Sequence, residues 1–152
     1  MNIEHVVSGK GALCRSILES LPEWFAIPRA VTQYCEDAEQ LPMLRCRADG
    51  ELIAFTSLKH HTAYATEISV MGVRREFHRQ GIGRAMLAEA EDYVRGLGGT
   101  YLTVKTLAAS NPDPSYQSTR QFYEGIGFMP VEIFPTLWGD TNPCLLVIRP
   151  VR

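Results

Sequence analysis

The spacing of apolar residues switches between a helical and a strand-like period along the chain. Leu13, Ile17 and Leu21 recur every four residues and predict a helix over Lys10–Leu21, interrupted by Pro22 and Pro28. A shorter helix is expected over Arg29–Asp37. Leu41–Ala48 and Glu51–Lys59 read as strands. Asp49-Gly50 between them is a hairpin turn pair, since both residues tolerate positive φ. A third strand is predicted over Ala63–Val73, then a glycine-rich turn, then a helix running to about Leu97. Leu87, Ala90, Val94 and Leu97 form that helix's expected buried stripe. Glu91 and Arg95 form an i,i+4 pair on its surface, and Gly98 stops it. Tyr101–Thr106 is rich in β-formers, Asn111–Pro114 reads as a loop and Ser115–Glu124 as a helix. Met129–Pro135 and Cys144–Arg149 read as two last strands. The order predicts an α/β fold with a mixed, mostly antiparallel sheet flanked by helices. The one helical crossover makes Tyr101–Thr106 parallel to the strand it leaves.

Composition narrows the function without naming it. At 152 residues the chain fits a single domain, 1–152, since about 100–200 residues per domain is usual. A hydrophobic content of 45% supports a core, and a net charge of −2 supplies no basic footprint for nucleic acid. No apolar run approaches the ~20 residues that cross a bilayer, and Met-Asn-Ile-Glu-His does not open a signal peptide. Cys14, Cys35, Cys46 and Cys144 make no Cys-x-x-Cys, so no metal is expected and reduced thiols in a cytoplasmic protein are.

The chemistry concentrates in Arg75–Leu87. Strand, glycine turn and helix start together make an anion cradle: glycines let the backbone approach a ligand, and the first helical N–H groups have no intrahelical partner. A Walker loop needs Lys and Ser/Thr after its last glycine, whereas Arg84 and Ala85 stand here. A dinucleotide fingerprint needs a third glycine where Met86 stands. An ordinary turn at a helix start remains the plain alternative.

His78-Arg79-Gln80-Gly81-Ile82-Gly83, with Phe122-Tyr123 and Gly127-Phe128 further on, resembles the GNAT superfamily of acyl-CoA-dependent N-acyltransferases from about Leu41 to the C-terminus. His78 replaces the Gln or Arg more usual in the family, and Tyr116 replaces an Asn that often opens the later helix. The resemblance implies a parallel strand pair that splays to admit acyl-CoA. Main-chain groups of Met71 and Val73 would then meet the pantetheine amides. The pyrophosphate would rest on N–H groups across His78, Arg79, Gln80, Gly81, Ile82, Gly83 and Arg84, helped by the guanidinium groups of Arg79 and Arg84.

It also implies a base and an acid. An amine attacks a thioester only unprotonated, so its proton needs an acceptor. Glu67 lies eleven residues before His78, the offset of the base in some members of the family. Strand alternation would put Glu67 on one face with Ala65, Ser69 and Met71, and apolar walls there would suit a base. The alternative is that Glu67 only pairs with a cation or rims the pocket, and His60 and His61 are rival bases. Tyr123 matches the family's acid, hydrogen bonding to the departing sulfur; core packing is its alternative role. The expected activity is acetyl transfer from acetyl-CoA to a small-molecule amine or a protein amino group, with a non-catalytic acyl-CoA sensor as the second reading. Trp24, Phe25, Tyr34, Phe134 and Trp138 are candidate acceptor-pocket residues, and the C-terminal strands leave room for a homodimer.

Overall fold

A computed structural model describes all 152 residues. Seven strands form one sheet: β1 (Asn2–His5), β2 (Met43–Ala48), β3 (Glu51–His60), β4 (Ala65–Val73), β5 (Tyr101–Leu107), β6 (Met129–Phe134) and β7 (Cys144–Pro150), in the order β1-β2-β3-β4-β5-β7-β6. Four helices cover it: α1 (Lys10–Leu18), α2 (Pro28–Ala38), α3 (Ile82–Gly96) and α4 (Pro114–Gly125). All neighbouring strands are antiparallel except β4 and β5. The sheet has a core on each face. Ile17, Leu18, Val31, Cys35 and Phe55 belong to one, under α1 and α2. Met86, Leu87, Ala90, Val94, Leu102 and Phe128 belong to the other, under α3 and α4.

Local chemistry explains most boundaries. Asp49 (φ 51°) and Gly50 (φ 78°) are both left-handed, as the β2–β3 hairpin turn requires. Pro28 opens α2. Pro114 opens α4 beneath an Asp113 cap, whose carboxylate accepts from the Ser115 N–H at 2.9 Å. The first helix ends at Leu18, three residues short of the periodicity's prediction, although Leu21 is still buried in the following turn. The strand β1 was not expected: four residues are too few for a two-residue period to stand out, and its pairing with β2 supplies the order.

Two expectations for α3 need correcting. Leu97 falls beyond the helix end and is 60% exposed, because the chain already turns there toward Gly98 (φ 83°). Glu91 is no surface residue. Its carboxylate is buried, one oxygen taking Arg95 Nη2 at 2.9 Å and the other taking Arg149 Nη2 from β7. Arg149 also donates from Nη1 to the Ile126 carbonyl at 2.9 Å, tying the end of α4 to the sheet.

The parallel pair is short. β4 meets β5 only at Ala65–Tyr101, Thr66–Leu102 and Glu67–Thr103. Immediately afterwards β4 carries a bulge. Leu58 on β3 opposes Ile68 while the preceding Ser57 opposes Val70, leaving Ser69 as the extra residue. A bulge bends its strand and strengthens its twist, and here β4 departs from β5 at that point. The splay expected from the sequence is present, with a physical cause in Ser69.

Candidate acyl-CoA cleft and catalytic residues

The splay opens a cleft of about 780 Å³, lined from β4 by Ile68–Val73, from β5 by Val104–Thr106 and from α4 by Phe122 and Tyr123. The Arg74 N–H donates to Ile53 on β3, so alternation turns the main-chain groups of Met71 and Val73 the other way, into the cleft. That edge of β4 has no ladder partner past Glu67. On the opposite wall the buried Thr106 hydroxyl has no hydrogen-bond partner. An extended ligand carrying amides fits both features, since it can restore the missing bonds.

At one end lies the turn into α3. Arg79 (φ 61°) and Gly81 (φ 81°) are both left-handed, which curls successive N–H groups toward one point. No side chain caps α3 and no acidic residue sits in its first turn, so its leading N–H groups stay free for an anion. Arg79 and Arg84 line the cleft, exposed and without ion-pair partners. Gly83 lets α3 sit close against α4: a Cβ there would meet Phe122 Cζ at 3.0 Å, and the ring would have to give by a few tenths of an ångström. Replacing Gly81 by Ala meets no atom but forces a Cβ into left-handed backbone. Its expected cost is about 1 kcal/mol, read by denaturant unfolding.

The expected binding residues are not all used through their side chains. The Gln80 amide folds back onto the Glu76 carbonyl at 3.0 Å. His78 binds the Val73 carbonyl through Nε2 at 2.6 Å and packs edge-on against Trp24, with ring centroids 5.5 Å apart. That carbonyl therefore already has one partner, and the unusual histidine braces the end of β4. Tyr116, in place of the family's Asn, is also committed: its hydroxyl donates to the Trp24 carbonyl at 2.6 Å. Burial pushes the Tyr116 phenol up to about 12, with smaller contributions from Tyr34 and Asp113. Trp24 Nε1 in turn donates to the Thr119 hydroxyl at 3.0 Å and the Ser115 carbonyl at 3.1 Å. This bridge from the α1–α2 loop to α4 was invisible in the sequence, because its partners lie more than ninety positions apart.

Glu67 and Tyr123 differ in setting. Tyr123 is buried against Phe122 and Phe128, with ring centroids 5.2 and 5.3 Å away. Its hydroxyl makes no hydrogen bond within the protein, its ring lines the cleft, and burial raises its pKa. Glu67 stands on the α1–α2 face. The bulge at Ser69 resets the alternation, so Glu67 shares that face with Val70 and Gly72, while Ile68 and Met71 face α3. The face expected from strict alternation is thereby corrected. Polar groups rather than apolar walls hold the carboxylate: His61 Nε2 lies 2.6 Å and Lys105 Nζ 3.4 Å from the same oxygen, Oε1. Glu67 does not itself line the cleft, but Lys105 does, as do Trp24, Phe25, Tyr34 and Trp138. Phe134 does not.

Comparison with known proteins agrees with this geometry. The model of the acetyltransferase (GNAT) family matches residues 12–128. An aminoglycoside N(6′)-acetyltransferase type 1 from Stenotrophomonas maltophilia is 36% identical over 76 residues, which are 45% of this chain and 50% of that protein. The match therefore spans half the length of that relative. Among solved structures, a GNAT-family protein from Desulfovibrio desulfuricans superposes with a TM-score of 0.85 at 20% identity, covering 99% of both chains. A GNAT-family acetyltransferase from Elizabethkingia anophelis with acetyl-CoA bound gives 0.77 at 16% identity, covering 98% of this chain and 97% of that one. With most of its length matched by the family model, and with the splayed pair and uncapped α3 turn in place, the chain belongs to the acetyltransferase (GNAT) family.

Proposed function

We propose that the protein transfers an acetyl group from acetyl-CoA to a primary amine of a small molecule, by direct attack with both substrates bound. The observation that carries this is the conjunction, in one cleft, of an uncapped helix start and a buried tyrosine ring whose hydroxyl has no partner within the protein. A sensor would need only the first. The acetyl thioester supplies the activated carbonyl. Main-chain groups of Met71 and Val73 orient the pantetheine arm, and the turn from His78 to Arg84 holds the pyrophosphate. Glu67, steadied by His61 and Lys105, receives one proton from the acceptor ammonium, directly or through water. His61 is exposed and offers that proton a way to solvent. The C–N bond forms as the C–S bond breaks. The second nitrogen proton ends on the leaving thiol, with the Tyr123 hydroxyl donating to the sulfur meanwhile.

Names of relatives point to aminoglycosides as one acceptor class, and a protein amino group is the other candidate. Four free, buried thiols suit a reducing compartment, and we place the protein in the cytoplasm. The edge strand β6 exposes Met129, Val131 and Ile133 and is the surface we assign to a homodimer. The test of the activity is thiol release from acetyl-CoA with a panel of amines, run beside calorimetry with coenzyme A. Turnover with at least one amine is expected, falling on the order of a hundredfold in Glu67→Gln with binding of coenzyme A retained. Binding without turnover for every amine would leave the sensor reading in its place.

A further inference from the structure

The acceptor end of the cleft has a charge pattern that selects among amines. No aspartate or glutamate lines the cleft. Its basic residues are Arg79 and Arg84 at the helix turn, His78 beside them, and Lys105 on β5. Lys105 is thus the cation left at the acceptor end. The same cleft is lined by the aromatic rings of Phe25, Tyr34 and Trp138, with Trp24 against His78. A polycation such as an aminoglycoside needs several carboxylates to replace its water, and beside this cleft Glu67, already paired with Lys105, is the carboxylate on hand. We infer that the acceptor is a zwitterion: a primary amine with a carboxylate a few bonds away and an apolar or aromatic body, the chemistry of a large hydrophobic amino acid.

The arrangement around Glu67 supports this spacing. Both of its protein donors fall on Oε1, so Oε2 takes no hydrogen bond within the protein and can receive a proton relayed from the amine by water. An ammonium carries three donors, and Lys105 spends one on Glu67. Its others are available to an anion from the cleft it lines. With Lys105 Nζ 3.4 Å from Glu67 Oε1, an amine that reaches Glu67 through a water and a carboxylate on Nζ are close neighbours, as the two ends of an amino acid are. The aromatic rings offer apolar surface and edges for the remaining side chain. Tyr34 and Phe25 already pack edge to face, centroids 6.1 Å apart, so that wall is formed before any ligand arrives.

This inference rests on the acetyltransferase reading of the same site, and the test separates the two. Thiol release from acetyl-CoA is measured with phenylalanine, leucine and tryptophan, with their methyl esters, with phenethylamine and with kanamycin. The free amino acids should exceed their esters in kcat/KM by about ten- to a hundredfold, the size expected for a charge-assisted contact. Lys105→Met should erase that ratio, and Lys105→Arg should restore part of it. Using a ratio within one variant removes any general loss of folding or of base strength. Kanamycin or the esters outperforming the amino acids would overturn the zwitterion while leaving acetyl transfer intact. An undiminished ratio in Lys105→Met would overturn the role of Lys105. Release of no thiol with any amine, while coenzyme A still binds, would overturn both readings.

Discussion

Tyr123→Phe is expected to lower kcat by about 10²- to 10³-fold while the affinity for acetyl-CoA stays within a factor of about two. The substitution removes one oxygen and keeps the ring, so the packing against Phe122 and Phe128 survives. Nothing in the protein loses a partner, because the hydroxyl has none to lose. The whole effect then belongs to the departing sulfur, whose charge develops only after binding. Burial raises the Tyr123 pKa, so the hydroxyl stays protonated through neutral and mildly alkaline solution. The wild-type rate should accordingly show no alkaline loss traceable to Tyr123 below pH 10, its ordinary value. Single-turnover kinetics beside a coenzyme A titration check the assignment; a kcat near wild type would remove Tyr123 from the chemistry.

The second large effect lies outside the cleft. Glu91→Ala leaves the Arg149 guanidinium without its carboxylate between α3, α4 and β7, at the floor of a small surface pocket where both partners' side chains are only 10% and 11% exposed. Breaking such a pair from one side costs about 3–5 kcal/mol, because the remaining charge stays desolvated. For a domain of this size that corresponds to a Tm lower by roughly 10 °C. Glu91→Leu combined with Arg149→Met removes both charges and should recover most of the loss. Calorimetric or circular-dichroism melts of the single and double variants read this directly. If the double variant melts as low as the single one, the cost comes from packing and not from the unpaired charge. Acetyl-CoA affinity of the folded single variant should change little, since neither residue lines the main cleft.

Tyr123 and Glu91 also show how differently two residues can be legible. The glycine turn, the aromatic pair and the trailing Gly127-Phe128 are contiguous stretches, so their chemistry survives in one dimension. The meander, the crossover and its parallel strand follow from period and connection rules, and the structure has them. Glu91 carried a misleading local signal. Its i,i+4 partner Arg95 is real, but a residue on β7, fifty-eight positions away, decides that the carboxylate is buried.

The same division runs through the cleft. Local sequence alone determined the left-handed turn at Gly81 and the helix start that follows it, because these depend on backbone freedom within a few residues, while Tyr123 was picked out by its place in a motif resembling the family's. Tertiary structure decided the rest. The extra residue Ser69 resets which face Glu67 occupies, and a bulge is a property of two strands in register that neither strand announces by itself. Packing brings His61 and Lys105 onto one oxygen of Glu67 and latches Trp24 onto α4. Charge placement and hydrogen-bond partners depend on neighbours in space, and for these residues such neighbours come from separate elements of the chain.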